Sequence, residues 1–166
     1  MMIGTAFEAL AERLGAALRA RAQRMATAES CTGGLVAAAC TAVAGSSDWF
    51  ERGFVTYSNE AKQSMLGVPP ALLVAHGAVS QPVAEAMVRG ALQHAPVQWA
   101  VAVTGIAGPG GAVPGKPIGT VWLAWGCADR VWARRLQLSG DRAAVREQTV
   151  QEALQTLIDA VGAAPA

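Results

Sequence analysis

The sequence predicts an α/β domain with helices on both faces of a mixed, mostly parallel sheet of about five strands. Three observations carry that prediction. Strand-like and helix-like segments alternate along the chain. Residues 97–103 are nearly continuous in apolar side chains, the mark of a strand covered on both faces. The last two strand-like runs, 118–126 and 130–138, are joined only by Cys127-Ala128-Asp129, so one must run antiparallel to the other.

The elements follow in order. Thr5 and Glu8 have the spacing of a capping box, and Phe7, Leu10, Leu14, Ala17 and Leu18 then recur at helical spacing. Arg19 and Arg21 suit the negative end of that helix. Residues 24–28 read as a buried strand, followed by Glu29-Ser30-Cys31-Thr32-Gly33-Gly34 and an apolar helix over 35–44. Ala44-Gly45-Ser46-Ser47-Asp48 breaks the chain, with Trp49 and Phe50 packed beneath. Residues 53–57 form a second strand, rich in β-branched and aromatic side chains. Ser58-Asn59 caps a short helix over 60–66, and residues 71–75 make a further helical turn. After the loop His76-Gly77-Ala78-Val79, Ser80 caps a helix that carries Pro82 in its first turn and buries Val83, Met87, Val88, Ala91 and Leu92. The strand at 97–103 ends in a glycine-rich loop, residues 104–111. After the hairpin, Asp141 caps a last helix with Val150, Leu154, Leu157, Ile158 and Val161 as its core stripe.

Composition excludes several functional classes. At 166 residues the chain has room for one well-buried domain, residues 1–166, and is short for two. Hydrophobic residues at 52% and charged ones at 15% exclude a disordered chain, and no apolar run approaches the ~18 residues a membrane span needs. A net charge of +1 without a basic run gives no footprint for nucleic acid. The amino terminus lacks the basic-then-apolar pattern of a signal peptide. Cys31, Cys40 and Cys127 form no C-x-x-C pair and there are two histidines, so neither a metal site nor a disulfide framework is expected; reduced thiols suit the cytoplasm. Trp122, Trp125 and Trp132 on the last strands point either to core or to an apolar surface for a homo-oligomer, a dimer in its simplest form.

Chemistry concentrates where strands give way to helices, the edge at which open α/β sheets bind ligands. Ser30 is either a helix N-cap or a nucleophile beside glycines that let a substrate approach the backbone. Lys62 lies one helical turn beyond Ser58 in Tyr57-Ser58-Asn59-Glu60-Ala61-Lys62 and can face the same edge. A serine needs a base, and lysine serves when burial lowers its pKa; otherwise it is a solvated surface lysine. Tyr57 can relay or orient the proton. Cys31 with His76 as base is the rival nucleophile, against a reading of Cys31 as a small buried residue. Arg142 and Arg146 either grip an anion or solvate a helix start whose dipole they oppose. Gly110 to Lys116 spells the opening of a phosphate-binding loop, but Pro117 replaces the required Ser or Thr and a strand follows, which excludes nucleoside triphosphate hydrolysis.

Six motifs stand in the order of the CinA C-terminal domain family, which the chain resembles over nearly its whole length: Glu29-Ser30-Cys31-Thr32-Gly33-Gly34, Tyr57-Ser58-Asn59-Glu60-Ala61-Lys62, His76-Gly77-Ala78-Val79-Ser80, residues 103–111, Lys116-Pro117-Ile118-Gly119-Thr120-Val121 and Gly140-Asp141-Arg142. The resemblance implies a three-layer α/β/α sandwich and a cofactor-free, metal-free Ser/Lys amidohydrolase acting on a small-molecule nucleotide, nicotinamide mononucleotide. It implies Ser30 as nucleophile, Lys62 as general base and Tyr57 as its partner. Thr32, Gly33 and Gly34 would offer helix-start N–H groups, Asn59, Thr104 and Gly105 would line the substrate pocket, and Arg142 would take an anionic group. The alternative is a non-catalytic nucleotide-binding module using the same edges. One departure from the family pattern is Ala112-Val113-Pro114-Gly115-Lys116, where a Gly-Thr pair and an acid are expected before the lysine.

Overall fold

The computed structural model describes residues 5–166. The Thr5 side chain lies outside the described residues, and the Thr5/Glu8 capping pair with it. The elements are α1 (Thr5–Arg19), β1 (Met25–Glu29), α2 (Leu35–Cys40), β2 (Phe50–Val55), α3 (Asn59–Leu66), α4 (Pro70–His76), α5 (Gln81–His94), β3 (Trp99–Gly105), β4 (Thr120–Cys127), β5 (Arg130–Gln137) and α6 (Arg142–Ala163). The five strands form one mixed sheet in the order β2-β1-β3-β4-β5. Pairings β2–β1 and β1–β3 are parallel, whereas β3–β4 and β4–β5 are antiparallel. Only β4 therefore points against the rest.

Two cores make this a three-layer α/β/α sandwich. On one face α1, α2 and α6 cover Met25, Trp99, Val101, Val103, Val121 and Leu123. On the other α3, α4 and α5 cover Ala28, Ala100, Ala102 and Ala124. The period-2 alternation of β3 thus sends its large side chains to one layer and its alanines to the other. Alanine on that face lets α5 sit close, and Gly90 brings α5 against the end of α3: a Cβ at Gly90 would stand 2.0 Å from the Leu66 carbonyl oxygen.

Several boundaries differ from the sequence reading, each for a local reason. Helix α2 stops at Cys40 instead of 44; at its C-cap the Thr41 hydroxyl donates back to the carbonyls of Ala37 and Ala38, at 3.0 and 3.2 Å, as the chain turns away. Strand β2 begins at Phe50 and leaves the sheet after Val55, so Tyr57 lies beyond the strand that was expected to contain it. Strand β3 runs on through Thr104 and Gly105, which pair with Trp122 and Val121 of β4. Ser80 stands at the start of α5, but its hydroxyl donates to the Gly77 carbonyl at 2.8 Å instead of capping the helix. The three tryptophans do not make one surface: Trp122 packs on the α5 side, while Trp125 and Trp132 stack across strands on the α6 side, centroids 6.3 Å apart. Arg130 lies over Trp132 at 4.9 Å and Arg134 over Trp125 at 5.8 Å. Among the described residues no helix is long and apolar enough to cross a membrane.

Gly90→Ala tests the close approach of α5. The added methyl must push against backbone, so urea unfolding should lose about 1–3 kcal/mol, the usual cost of overpacking. An unchanged midpoint would mean that the helices have room to part.

Candidate active site

The site is assembled by two chain neighbours that go opposite ways at the end of β1. Glu29 turns its carboxylate to the α2 layer and Ser30 its hydroxyl to the α3 layer. Glu29 is 1% exposed. Its Oε1 accepts from the Thr32 hydroxyl at 2.5 Å and from the N–H groups of Gly34 and Val36 at 3.2 and 2.8 Å, and its Oε2 accepts from Ala37 N–H at 3.1 Å. A carboxylate at a helix start meets both unpaired donors and the positive end of the dipole. The amides that sequence reading offered to substrate are therefore engaged: Gly34 donates to Glu29, and Gly33 donates to the Ser30 carbonyl at 3.0 Å. Thr32 is fully buried and also serves Glu29.

Lys62 reaches Ser30 from the other side. Ser58 starts α3 by accepting from Ala61 N–H at 3.0 Å, and the helix carries Lys62 inward until it is 1% exposed. Its Nζ lies 2.9 Å from Ser30 Oγ, 2.9 Å from the Thr56 carbonyl and 3.3 Å from the Tyr57 carbonyl. Burial pulls its pKa down from 10.5 to about 8, with Cys31 opposing weakly. A neutral amine has two N–H bonds and one lone pair. The two carbonyls take the N–H bonds, which leaves the lone pair for the Ser30 hydroxyl. Ser30 itself is anchored by its N–H to the Val103 carbonyl at 3.0 Å. The arrangement can deprotonate a serine hydroxyl without any carboxylate or histidine.

Ser30 and Lys62 open into a cavity of about 230 Å³. Tyr57, Asn59, Thr104, Gly105 and Arg142 line it, as sequence reading expected; Thr32, Gly33 and Gly34 do not. Tyr57 meets Lys62 through its backbone carbonyl, not its phenol. The phenol is at the mouth, 62% exposed, and accepts from Arg142 at 3.1 Å. Arg142 also donates to the Gly108 carbonyl at 2.9 Å. Arg146 is turned inward, donating to the carbonyls of Cys31 and Thr32 at 3.1 and 3.2 Å, so it fixes the Ser30 loop instead of facing the cavity. Among the described residues no carboxylate lines the cavity, and its ionisable side chains Lys62 and Arg142 are both basic types. Burial pushes the Cys31 thiol up to about 12, which keeps it protonated near neutrality and weakens it as a nucleophile. A larger cleft of about 670 Å³, between α3, α5 and the β4–β5 turn, contains none of the sequence-predicted site residues. Among the described residues no three His, Cys, Asp or Glu side chains are grouped to share a metal ion.

Sequence reading missed Glu29 as a structural anchor, Arg146 as a loop clamp and Ala78 and Val79 as cavity wall. For Glu29 a signal existed: an acid directly between a buried strand and a glycine-led helix start has those donors as its nearest partners.

The CinA C-terminal domain model matches residues 7–161. A protein of Pseudomonas putida named nicotinamide-nucleotide amidohydrolase PncC is 58% identical over 149 residues, 90% of this chain and 93% of its own length. Its namesake in Escherichia coli strain K12 is 56% identical over 149 residues, 89% of this chain and 90% of its own. The crystal structure of the competence/damage inducible protein CihA from Agrobacterium tumefaciens superposes with a TM-score of 0.93 at 43% identity, covering 98% of this chain and 99% of that one.

Glu29→Gln tests the anchor. The amide group turns an acceptor into a donor against Ala37 N–H and removes the charge from the helix start. Chemical denaturation should report a loss of about 2–3 kcal/mol, the scale of charge-assisted hydrogen bonds. A loss below about 0.5 kcal/mol, typical of a surface change, would rule the anchor out.

Proposed function

The chain belongs to the CinA C-terminal domain family, and from that premise we propose that it is a nicotinamide-nucleotide amidohydrolase with a Ser/Lys mechanism. The observation that carries the mechanism is the 2.9 Å contact between Lys62 Nζ and Ser30 Oγ, made by a lysine whose pKa burial has lowered to about 8. The relatives' printed names supply the substrate: the carboxamide of a nicotinamide nucleotide.

Neutral Lys62 accepts the Ser30 proton as Oγ attacks the amide carbon. The protonated amine returns that proton to the leaving nitrogen, the C–N bond breaks, and ammonia departs. Water, deprotonated by the same amine, then attacks the acyl-serine; the amine returns the proton to Ser30 Oγ as the ester bond breaks, and the carboxylate product leaves, nicotinic acid mononucleotide when the mononucleotide is the substrate. Arg142, facing a cavity without carboxylates, is our choice for the anionic phosphate, with Asn59, Thr104 and Gly105 as substrate wall. To bind phosphate, Arg142 exchanges the neutral Tyr57 phenol and Gly108 carbonyl for a charged acceptor. We place the enzyme in the cytoplasm, where the free Cys31, Cys40 and Cys127 stay reduced, as part of pyridine nucleotide recycling.

Ammonia release from nicotinamide mononucleotide is the direct assay. Ser30→Ala should abolish release while calorimetry still detects the nucleotide, and Cys31→Ala should keep it. Binding without release by the wild type would favour the non-catalytic module instead. Because the active form of Lys62 is the neutral one, kcat should climb as pH rises through about 8 and level off above it. A flat profile from pH 6 to 9 would remove Lys62 as the base.

A further inference from the structure

One wall of the cavity is Ala78 and Val79, in the irregular connection Gly77-Ala78-Val79 between α4 and α5. Three consecutive carbonyls, from His76 at the end of α4 to Ala78, are each held by a side chain. Thr104, at the end of β3, donates to the Ala78 carbonyl at 3.0 Å. Ser80 donates to the Gly77 carbonyl at 2.8 Å. Lys116, in the connection between β3 and β4, donates its Nζ to the His76 carbonyl at 2.6 Å. Thr104 faces the cavity and Ser80 begins the helix that follows, so both have other duties. Lys116 is not part of the cavity lining.

Lys116 also stands on a fixed base. Its backbone N–H and carbonyl pair with Val113 in an isolated two-residue bridge, at 2.9 and 3.2 Å, and the adjacent Gly115 carbonyl accepts from Arg135 of β5 at 2.9 Å. The tie therefore runs from the far edge of the sheet, through Lys116, to the residue at the end of α4. It closes on a segment whose glycine gives the backbone freedom of its own. Gly77 sits at φ +74 with ψ 166, a conformation that other residues rarely adopt, and a Cβ there would meet Lys116 Nζ at 3.1 Å.

We infer that Lys116 is a positioning residue for the substrate cavity, holding the Ala78–Val79 wall in place through the His76 carbonyl and acting on substrate affinity without touching the reacting atoms. The effect on catalysis rests on the amidohydrolase reading above; the effect on the loop does not. An ammonium-to-carbonyl bond is charge-assisted, and its loss frees a loop that substrate binding must then order again.

Lys116→Met keeps the length of the side chain and removes the donor; Lys116→Arg restores a donor. Two measurements on both variants and the wild type separate the outcomes. In hydrogen–deuterium exchange, the peptide spanning residues 76–80 should exchange about tenfold faster in Lys116→Met, with the wild-type rate regained in Lys116→Arg, since exchange follows local opening. In steady-state assays with nicotinamide mononucleotide, KM should rise about five- to tenfold in Lys116→Met, while kcat and its inflection near pH 8 stay within about twofold. Unchanged exchange in Lys116→Met overturns the tie. Faster exchange with unchanged KM overturns its role in the cavity, and a fall in kcat with a displaced pH inflection would make Lys116 part of the chemistry, which overturns positioning as its role. A wild type that releases no ammonia defeats the amidohydrolase reading alone, and the exchange result then still decides for or against the tie.

Discussion

The buried Glu29 carboxylate is the constraint on which the rest of the site depends. Placing a charge in a core is costly unless every lone pair finds a donor. Here one oxygen takes three donors and the other a fourth, all from the first turn of α2 or the loop before it. Because three of those four donors are backbone N–H groups, the carboxylate fixes the path of the chain as well as its own position. Residues 30–34 must curl back over Glu29, and the curl turns Ser30 away towards α3. Gly34 at φ +109 is what lets the backbone make that return.

The second constraint is the burial of Lys62. Its ammonium form is destabilised by the apolar packing of α3, yet its amine form is well matched to two carbonyls and one hydroxyl. The same packing therefore does two things. It deprives the folded state of a solvated cation, and it prepares a base. Below about pH 8 both the folded and the unfolded chain hold this proton, and the folded state bears the full cost of burying the charge. Stability linked to the group rises with pH from about 8, where the folded protein releases the proton and the unfolded chain keeps it, up to the ordinary lysine value of 10.5. Sites that combine strain of this kind with catalysis are where sequences depart from what stability alone would choose.

Much of the architecture was legible in the sequence because local signals agreed. The apolar run before Thr104, the hairpin at Cys127-Ala128-Asp129 and the Asp141 cap, which accepts from Ala144 N–H at 2.9 Å, all name their own structures. Boundaries were less legible where no strong stop signal stands in the sequence, as at the end of α2, where alanine-rich residues continue past Cys40. Within the site, the residue types were readable and their directions only partly. Ser30 and Lys62 are brought together across 32 positions of sequence. Nothing in the spacing of Tyr57 shows that its carbonyl would meet the lysine while its ring turns out to Arg142. Nor could spacing show that Glu29 would claim the amides that glycines 33 and 34 seemed to advertise. That outcome depends on which of two neighbouring oxygens lies nearer the helix start.

The arginines along β5 have a consequence for the life of the protein in a crowded solution. A sheet edge is a template for another strand, and β5 ends this sheet on one side. Arg130, Arg134 and Arg135 belong to that strand and are exposed, with Arg130 and Arg134 held over the tryptophan rings, Arg134 also donating to Glu152 and Thr156 of α6, and Arg135 donating to the Gly115 carbonyl. A strand added to β5 would have to lie alongside these three exposed charged residues, one of the ways in which native sheets blunt an edge.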